Sequence, residues 1–211
     1  QKSAIKQRNG GLESFITKIL NQMACDIHVR LHIPEITSYE DFYIQNYIET
    51  TPHEYLDSRS VGALIGFSLI FGIFDLHDEN IIESLHGLSL IDLECAFLME
   101  RGLKHENFIL SNGLLYDDQS RIKSSFLFSR IESINEDELK KGWNLALDYL
   151  LENQHTIDFE RIDSFKCRRV LAGTAYYTKI LQRRYAYIET EIELKANLLR
   201  HAKFRGIATP K

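Results

Sequence analysis

The stretch from Val61 to Phe74 limits the fold of this chain more than any other. Val61, Leu64, Ile65, Leu69 and Phe71 recur along it and leave almost no polar face, so the helix they form must be buried on most sides. Gly62, Gly66, Ser68 and Gly72 interrupt it, and no apolar run in the chain reaches the roughly 18 residues of a membrane span. Asp57 or Ser58 is placed to cap the N-terminus, which predicts a helix over about 59–73. Such a helix carries the chain from the core straight to Asp75.

The residues that follow are Asp75-Leu76-His77-Asp78-Glu79-Asn80, in a polar loop expected over 75–86. Leu88-Ser89-Leu90-Ile91-Asp92 then alternates like a short strand with Asp92 at its end. Phosphoryl transfer from ATP asks for this order. One Asp accepts the proton of the attacking hydroxyl, an Asn five residues later holds a metal ion, and an Asp at a strand end holds another. On this reading Asp75 is the catalytic acceptor, and Asn80 and Asp92 hold Mg2+, which takes oxygen ligands and keeps several waters. Glu94, two residues beyond Asp92, is a further candidate acid at the metal. His77 either shapes the loop or assists the γ-phosphate.

Composition narrows the remaining classes. The 211 residues fit one domain, or one large lobe and a small one, and 44% hydrophobic content supports a sizeable core. A net charge of −5 gives no nucleic-acid footprint, although Arg168/Arg169 and Arg183/Arg184 leave room for a local anion site. Cys25, Cys95 and Cys167 are far apart and show no metal-ligand spacing, so free and mostly buried thiols in a reducing cytoplasm are expected. No signal peptide opens the chain, and membrane insertion is not expected. The start on Gln1 and the end on Thr209-Pro210-Lys211 suggest a fragment of a larger protein.

Elsewhere the pattern is mainly helical. Residues 1–8 read as an edge strand carrying Lys6, stopped by Asn9-Gly10-Gly11. Leu12, Phe15, Ile16, Ile19, Leu20 and Met23 give a helix with one buried stripe. Pro34 ends the next segment, and Tyr39 to Ile48 reads as a strand or extended hinge. Residues 95–137 suggest a partly irregular segment with turns at Asn112-Gly113 and Asp117-Asp118. Leu139, Trp143, Ala146, Leu147, Leu150 and Leu151 define an amphipathic helix. A shorter helix over about 158–171, a break at Gly173 and a long helix from Ala175 to Lys203 complete the chain.

Asp75-Leu-His-Asp-Glu-Asn80 followed by Leu90-Ile-Asp-Leu-Glu94 resembles the dehydratase domain of class II (LanM-type) lanthipeptide synthetases. Ala4-Ile-Lys-Gln-Arg8 is similar to that family's strand with a Lys-Pro-Arg core, with Gln7 in place of Pro. Tyr39 to Glu49 is similar to the segment joining its lobes, and Phe108 to Leu115 and Gly142-Trp143 also match in order. Arg168-Arg-Val-Leu-Ala-Gly-Thr174 resembles its Arg-x-x-x-Arg-Pro-Thr element, with Ala172 and Gly173 replacing the second Arg and the Pro.

The resemblance implies a protein- or lipid-kinase-like α+β fold, mostly helical. Residues 1–48 would form a partial N-lobe and hinge, and 49–211 a helical C-lobe. It implies a cytoplasmic ATP- and Mg2+-dependent enzyme of lanthipeptide (lantibiotic) biosynthesis, a transferase and lyase. This enzyme would phosphorylate Ser and Thr of a leader-bearing precursor peptide and then eliminate the phosphate, with a cyclase downstream or separate. Lys6 would neutralise the α- and β-phosphates, and Arg168 and Thr174 would serve the elimination. Thr174, following Gly173, also fits a helix N-cap, and Lys6 also fits an ordinary strand lysine. The altered Ala172-Gly173 pair keeps open a plain phosphotransferase without elimination, and an inactive remnant that binds a peptide or partner is a third reading.

Overall fold

In the computed structural model the structure describes residues 2–50, 56–93, 96, 112–115, 125–153 and 156–158. The chain divides into two compact units, Gln1–Leu98 with His105–Cys167 and Met99–Lys104 with Arg168–Lys211, and every described residue belongs to the first. That unit is mixed α+β, with helices around two small antiparallel sheets.

β1 (Ser3–Lys6) is an edge strand, as its position ahead of Asn9-Gly10-Gly11 predicts. α1 (Gly11–Asp26) buries Leu12, Ile16, Leu20 and Met23 along one stripe, the period read from the sequence. Glu13 and Thr17 are buried with them, which hydrophobicity alone does not foresee. Cys25 is exposed at the far end of α1, contrary to the expectation of buried thiols.

β2 (Ile36–Ser38) and β3 (Tyr43–Asn46) complete a three-stranded sheet in the order β1-β3-β2. Ile5 pairs with Ile44 and Lys6 with Tyr43. Alternation in β3 turns Tyr43 and Gln45 inward. The strand expected between Tyr39 and Ile48 is therefore present but shorter, and β2 is an addition to it.

α2 (Ser58–Ile70) is capped by Asp57, whose side chain accepts hydrogen bonds from the backbone N–H groups of Arg59 and Ser60. It is buried on nearly every side, as its lack of a polar face requires. α3 (Glu136–Asn153) crosses it. A Cβ on Gly62 would lie 1.9 Å from the Leu139 carbonyl oxygen, and one on Gly142 would lie 1.8 Å from that of Arg59. The two backbones approach so closely that only glycines fit between them. Arg59 donates to Glu138 Oε2 through Nε (2.9 Å) and Nη2 (2.6 Å), fastening the N-terminal ends of the two helices. The stripe expected on α3 is corrected at Leu151, which is 70% exposed, while Gly142, Ala146 and Leu150 form the buried line.

β4 (Ile81–Ser84) and β5 (Gly87–Leu90) form an antiparallel hairpin, pairing Ile81 with Leu90 and Ser84 with Gly87. The polar loop expected over 75–86 therefore ends at Asn80. The short apolar pair Ile81-Ile82 inside it is strand, stabilised by pairing rather than by its own pattern. The hairpin is fixed from one side by Leu88 N–H to Arg30 O (2.9 Å) and His32 N–H to Leu88 O (2.8 Å). Ile16, Leu20, Leu64, Phe67, Phe71, Ile73, Leu76, Leu88, Leu90, Leu114 and Phe126 share one core beneath the Asp75 loop. No helix among the described residues is long and apolar enough to cross a membrane. The helices expected over 158–171 and 175–203 lie outside the described residues, apart from Asp158.

Candidate functional site

Asp75 adopts φ +67°. The left-handed region costs an L residue about 1–2 kcal/mol, and Asp is among the few types found there with any frequency. Neighbouring bonds hold it. Asn80 Nδ2 donates to the Asp75 carbonyl at 2.9 Å, Leu76 N–H donates to Asn112 O at 2.7 Å, and Asn80 N–H closes a turn onto His77 O at 3.0 Å. Glu79 N–H donates to His77 Nδ1 (3.2 Å), and His77 Nε2 lies 3.6 Å from Asp75 Oδ1. Asn80 Nδ2 lies 3.3 Å from that same nitrogen and 3.5 Å from Asp75 Oδ2. Three side chains thus converge. The Asp75 side chain is 49% exposed against 21% for His77, so the carboxylate faces solvent and the imidazole backs it.

A second layer fixes the loop from behind. Asn112 is fully buried, and its Oδ1 accepts from Leu114 N–H at 3.0 Å. Gly113 has φ +100°, and a Cβ there would lie 2.8 Å from Leu76 N and 3.1 Å from His77 N. His77 also bridges to Ser125. Arg130 donates to Asp78 Oδ1 (2.6 Å) and Glu83 Oε1 (2.5 Å), and to the Phe126 carbonyl (2.9 Å), tying the loop and β4 to the turn after Ser125. Burial alone would lower the tendency of this guanidinium to hold its proton, but the two carboxylates outweigh it and the net shift is upward.

The β4–β5 hairpin brings Asp92 to the same end. Ile81 pairs with Leu90, and Ile91 N–H donates to Asn80 O at 3.1 Å, so Asp92 follows directly on the residue opposite Asn80. Lys6 Nζ lies 3.2 Å from Asp92 Oδ2 and donates to Ile91 O at 3.1 Å. Arg8 Nη2 donates to Asp92 Oδ1 at 2.8 Å and to the Tyr43 hydroxyl at 3.0 Å, and Arg8 Nε donates to Glu13 Oε1 at 3.1 Å. Burial pushes the Tyr43 hydroxyl well above the usual phenol range, so it stays neutral beside these charges.

The structure thus places five of the sequence-predicted residues in two adjoining groups: Asp75, His77 and Asn80 on the loop, and Lys6 with Asp92 at the hairpin end. The Asn80–Ile91 bond joins the groups. Glu94, Arg168 and Thr174 lie outside the described residues. Sequence reading missed Arg8, Glu13, Tyr43, Gly113 and Arg130. Arg8 offered a signal, since it stands two positions from Lys6 next to a strand, but its partners are 5, 35 and 84 positions away. Among the described residues no cluster of three or more His, Cys, Asp and Glu side chains could hold a metal ion alone. A cation would rest on the Asn80 amide oxygen, the Asp92 carboxylate and groups brought by a ligand. Hard oxygen donors in that small number suit Mg2+.

A family model described as a domain of unknown function, DUF4135, matches residues 4–127. The matched stretch runs from β1 through the Asp75 loop and the hairpin to Leu127, and so takes in Lys6, Asp75, His77, Asn80, Asp92 and Gly113. No curated protein matches the chain. With more than half of its residues covered, the chain belongs to the DUF4135 family.

Proposed function

We propose that this chain carries the ATP-dependent half-site of a peptide dehydratase, phosphorylating Ser and Thr hydroxyls and then eliminating the phosphate to leave dehydroalanine or dehydrobutyrine. The observation that carries the reading is the adjacency of the strained, solvent-facing Asp75 to a hairpin end bearing Asn80 and Asp92, with Lys6 of β1 paired to Asp92. Two further supports are the resemblance to class II lanthipeptide dehydratase domains, and the association of the matching family with lanthipeptide synthetases.

In the first step Asp75 would orient the substrate hydroxyl and take its proton as oxygen attacks the γ-phosphorus and the bond to the β–γ bridging oxygen breaks, releasing ADP. His77, with Nε2 3.6 Å from Asp75 Oδ1, would back the carboxylate and keep it turned outward. Mg2+, held by Asn80 and Asp92, would neutralise charge on the phosphate oxygens. Lys6 supplies a second positive charge once it leaves Asp92. In the second step a base takes the Cα proton, the Cα–H electron pair becomes the Cα=Cβ bond, and the Cβ–O bond breaks to release phosphate, a far weaker base than hydroxide. Arg168 would steady that leaving group with its planar fork, and Thr174 would assist the elimination.

The test is intact-mass analysis of a leader-bearing Ser/Thr peptide incubated with the protein, ATP and Mg2+. Net loss of water is expected. Retained phosphate would replace the reading with a plain phosphotransferase, and an unchanged mass would leave a binding module.

A further inference from the structure

The two oxygens of Asp92 are held in different ways. Oδ1 takes Arg8 Nη2 at 2.8 Å, and Oδ2 takes Lys6 Nζ at 3.2 Å. Arg8 is itself locked. Its Nε reaches Glu13 at 3.1 Å, its Nη2 also reaches the Tyr43 hydroxyl at 3.0 Å, and its guanidinium carbon lies 5.5 Å from the Tyr43 ring centre. Glu13 is 4% exposed and Tyr43 fully buried, and they belong to α1 and β3, so the base of this fork is the core. Lys6 is a single point charge on a flexible stem, which also donates to the Ile91 carbonyl and lies 5.9 Å from the Tyr43 ring centre.

We propose that Arg8 is a positioning residue for Asp92: it fixes one carboxylate oxygen from a base of Glu13 and Tyr43, and so reserves the other oxygen for exchange between Lys6 and a divalent cation. This rests on the phosphoryl-transfer reading and adds to it a residue and an order of events. With Oδ2 given over to a cation, Lys6 would be released to phosphate oxygens. Arg8 does not follow, because its departure would strand the buried Glu13 carboxylate without its charge partner. Asp92 therefore stays in place while its second partner changes. The ion pair also ties α1 to the hairpin end, so the position of the helix is felt at the metal-binding oxygen.

Binding of Mn2+ and of ADP, measured separately and together by calorimetry, tests the proposal on wild type, Arg8→Lys and Glu13→Gln. Lysine keeps the charge but cannot span Glu13 and Asp92 together, and Gln keeps the shape of Glu13 while removing the base. The expected result is a Mn2+ affinity, in saturating ADP, lower by roughly 10- to 100-fold in Arg8→Lys and lower in the same sense in Glu13→Gln. Metal-free ADP affinity should stay within about twofold, with native circular dichroism, since a purely structural loss would lower both affinities together. A Mn2+ affinity unchanged in either folded variant overturns the role of Arg8 while leaving the phosphoryl-transfer reading standing. Wild-type protein that binds neither ADP nor Mn2+ overturns both.

Discussion

Replacing Gly113 with alanine measures how firmly the Asp75 loop is held. The new Cβ would sit 2.8 Å from Leu76 N, about 0.6 Å short of ordinary contact, at a φ of +100° that side-chain-bearing residues avoid. The backbone strain costs about 1–3 kcal/mol. Relief comes by pushing Leu76 and His77 away, which stretches the 2.7 Å bond from Leu76 N–H to Asn112 O in a site where a lost partner costs about 1–3 kcal/mol. Together these predict a loss of roughly 2–4 kcal/mol and a fall in melting temperature of about 5–15 °C for a chain of this size. Asp75 immediately precedes the displaced residues, so on the proposed phosphoryl-transfer reading turnover should fall by more than the unfolded fraction explains. A displacement of several tenths of an ångström is expected to cost on the order of 10- to 100-fold in kcat, with KM for ATP little changed. Chemical denaturation and steady-state kinetics on the same preparation supply both numbers. A Gly113→Ala protein with wild-type melting temperature and turnover would refute the packing argument.

Other consequences follow from the same contacts. Arg130→Met removes the ion pairs to Asp78 and Glu83 and should speed amide exchange across residues 76–84 while α2 and α3 stay protected, which hydrogen-exchange mass spectrometry resolves. Gly62→Ala forces a Cβ into the Leu139 carbonyl and should lower stability by about 1–3 kcal/mol or more in urea, with no specific change in nucleotide binding. Tyr149 donates to Asp26 Oδ2 at 2.7 Å, and that bond, with a smaller part from burial, pushes its hydroxyl up to about 12 from an ordinary 10.0. The folded chain then holds this proton longer than the unfolded one. The stability advantage of wild type over Tyr149→Phe should be constant below pH 10.0 and shrink as pH rises toward about 12, and a gap that widens there would contradict the assignment. Arg168→Ala should let phosphopeptide accumulate in place of dehydrated product, as intact-peptide mass analysis would show.

What the sequence revealed was mostly local. Leu12, Ile16, Leu20 and Met23 declare α1 by their period, Asp57 declares the start of α2 by its type, and the spacing from Asp75 to Asn80 marks the loop. β4 was hidden because Ile81-Ile82-Glu83-Ser84 has no alternation of its own and becomes strand only against Gly87–Leu90. Leu151 misled because the contact line of α3 is drawn by Gly142 and Ala146, which pack by being small rather than apolar. The charged network was hidden for a different reason. Glu13 on an apolar stripe reads as a surface residue until Arg8 is brought over it, and the Arg8–Asp92 pair spans 84 positions. The strain at Asp75 is likewise a product of what packs around it: Asp tolerates the left-handed region but does not by itself announce it.

Transfer of a labelled γ-phosphoryl group from ATP to a Ser/Thr peptide, compared between wild type and Asp75→Asn, decides whether Asp75 is the proton acceptor of a phosphoryl transfer. Asn tolerates the same left-handed backbone and keeps the shape of the side chain, so the fold should persist while the proton acceptor is lost. Peptide labelling should depend on Asp75, appearing transiently in wild type and as a stable product in Arg168→Ala. Equal labelling by Asp75→Asn, or none by a folded wild-type protein that binds ATP, would contradict that role.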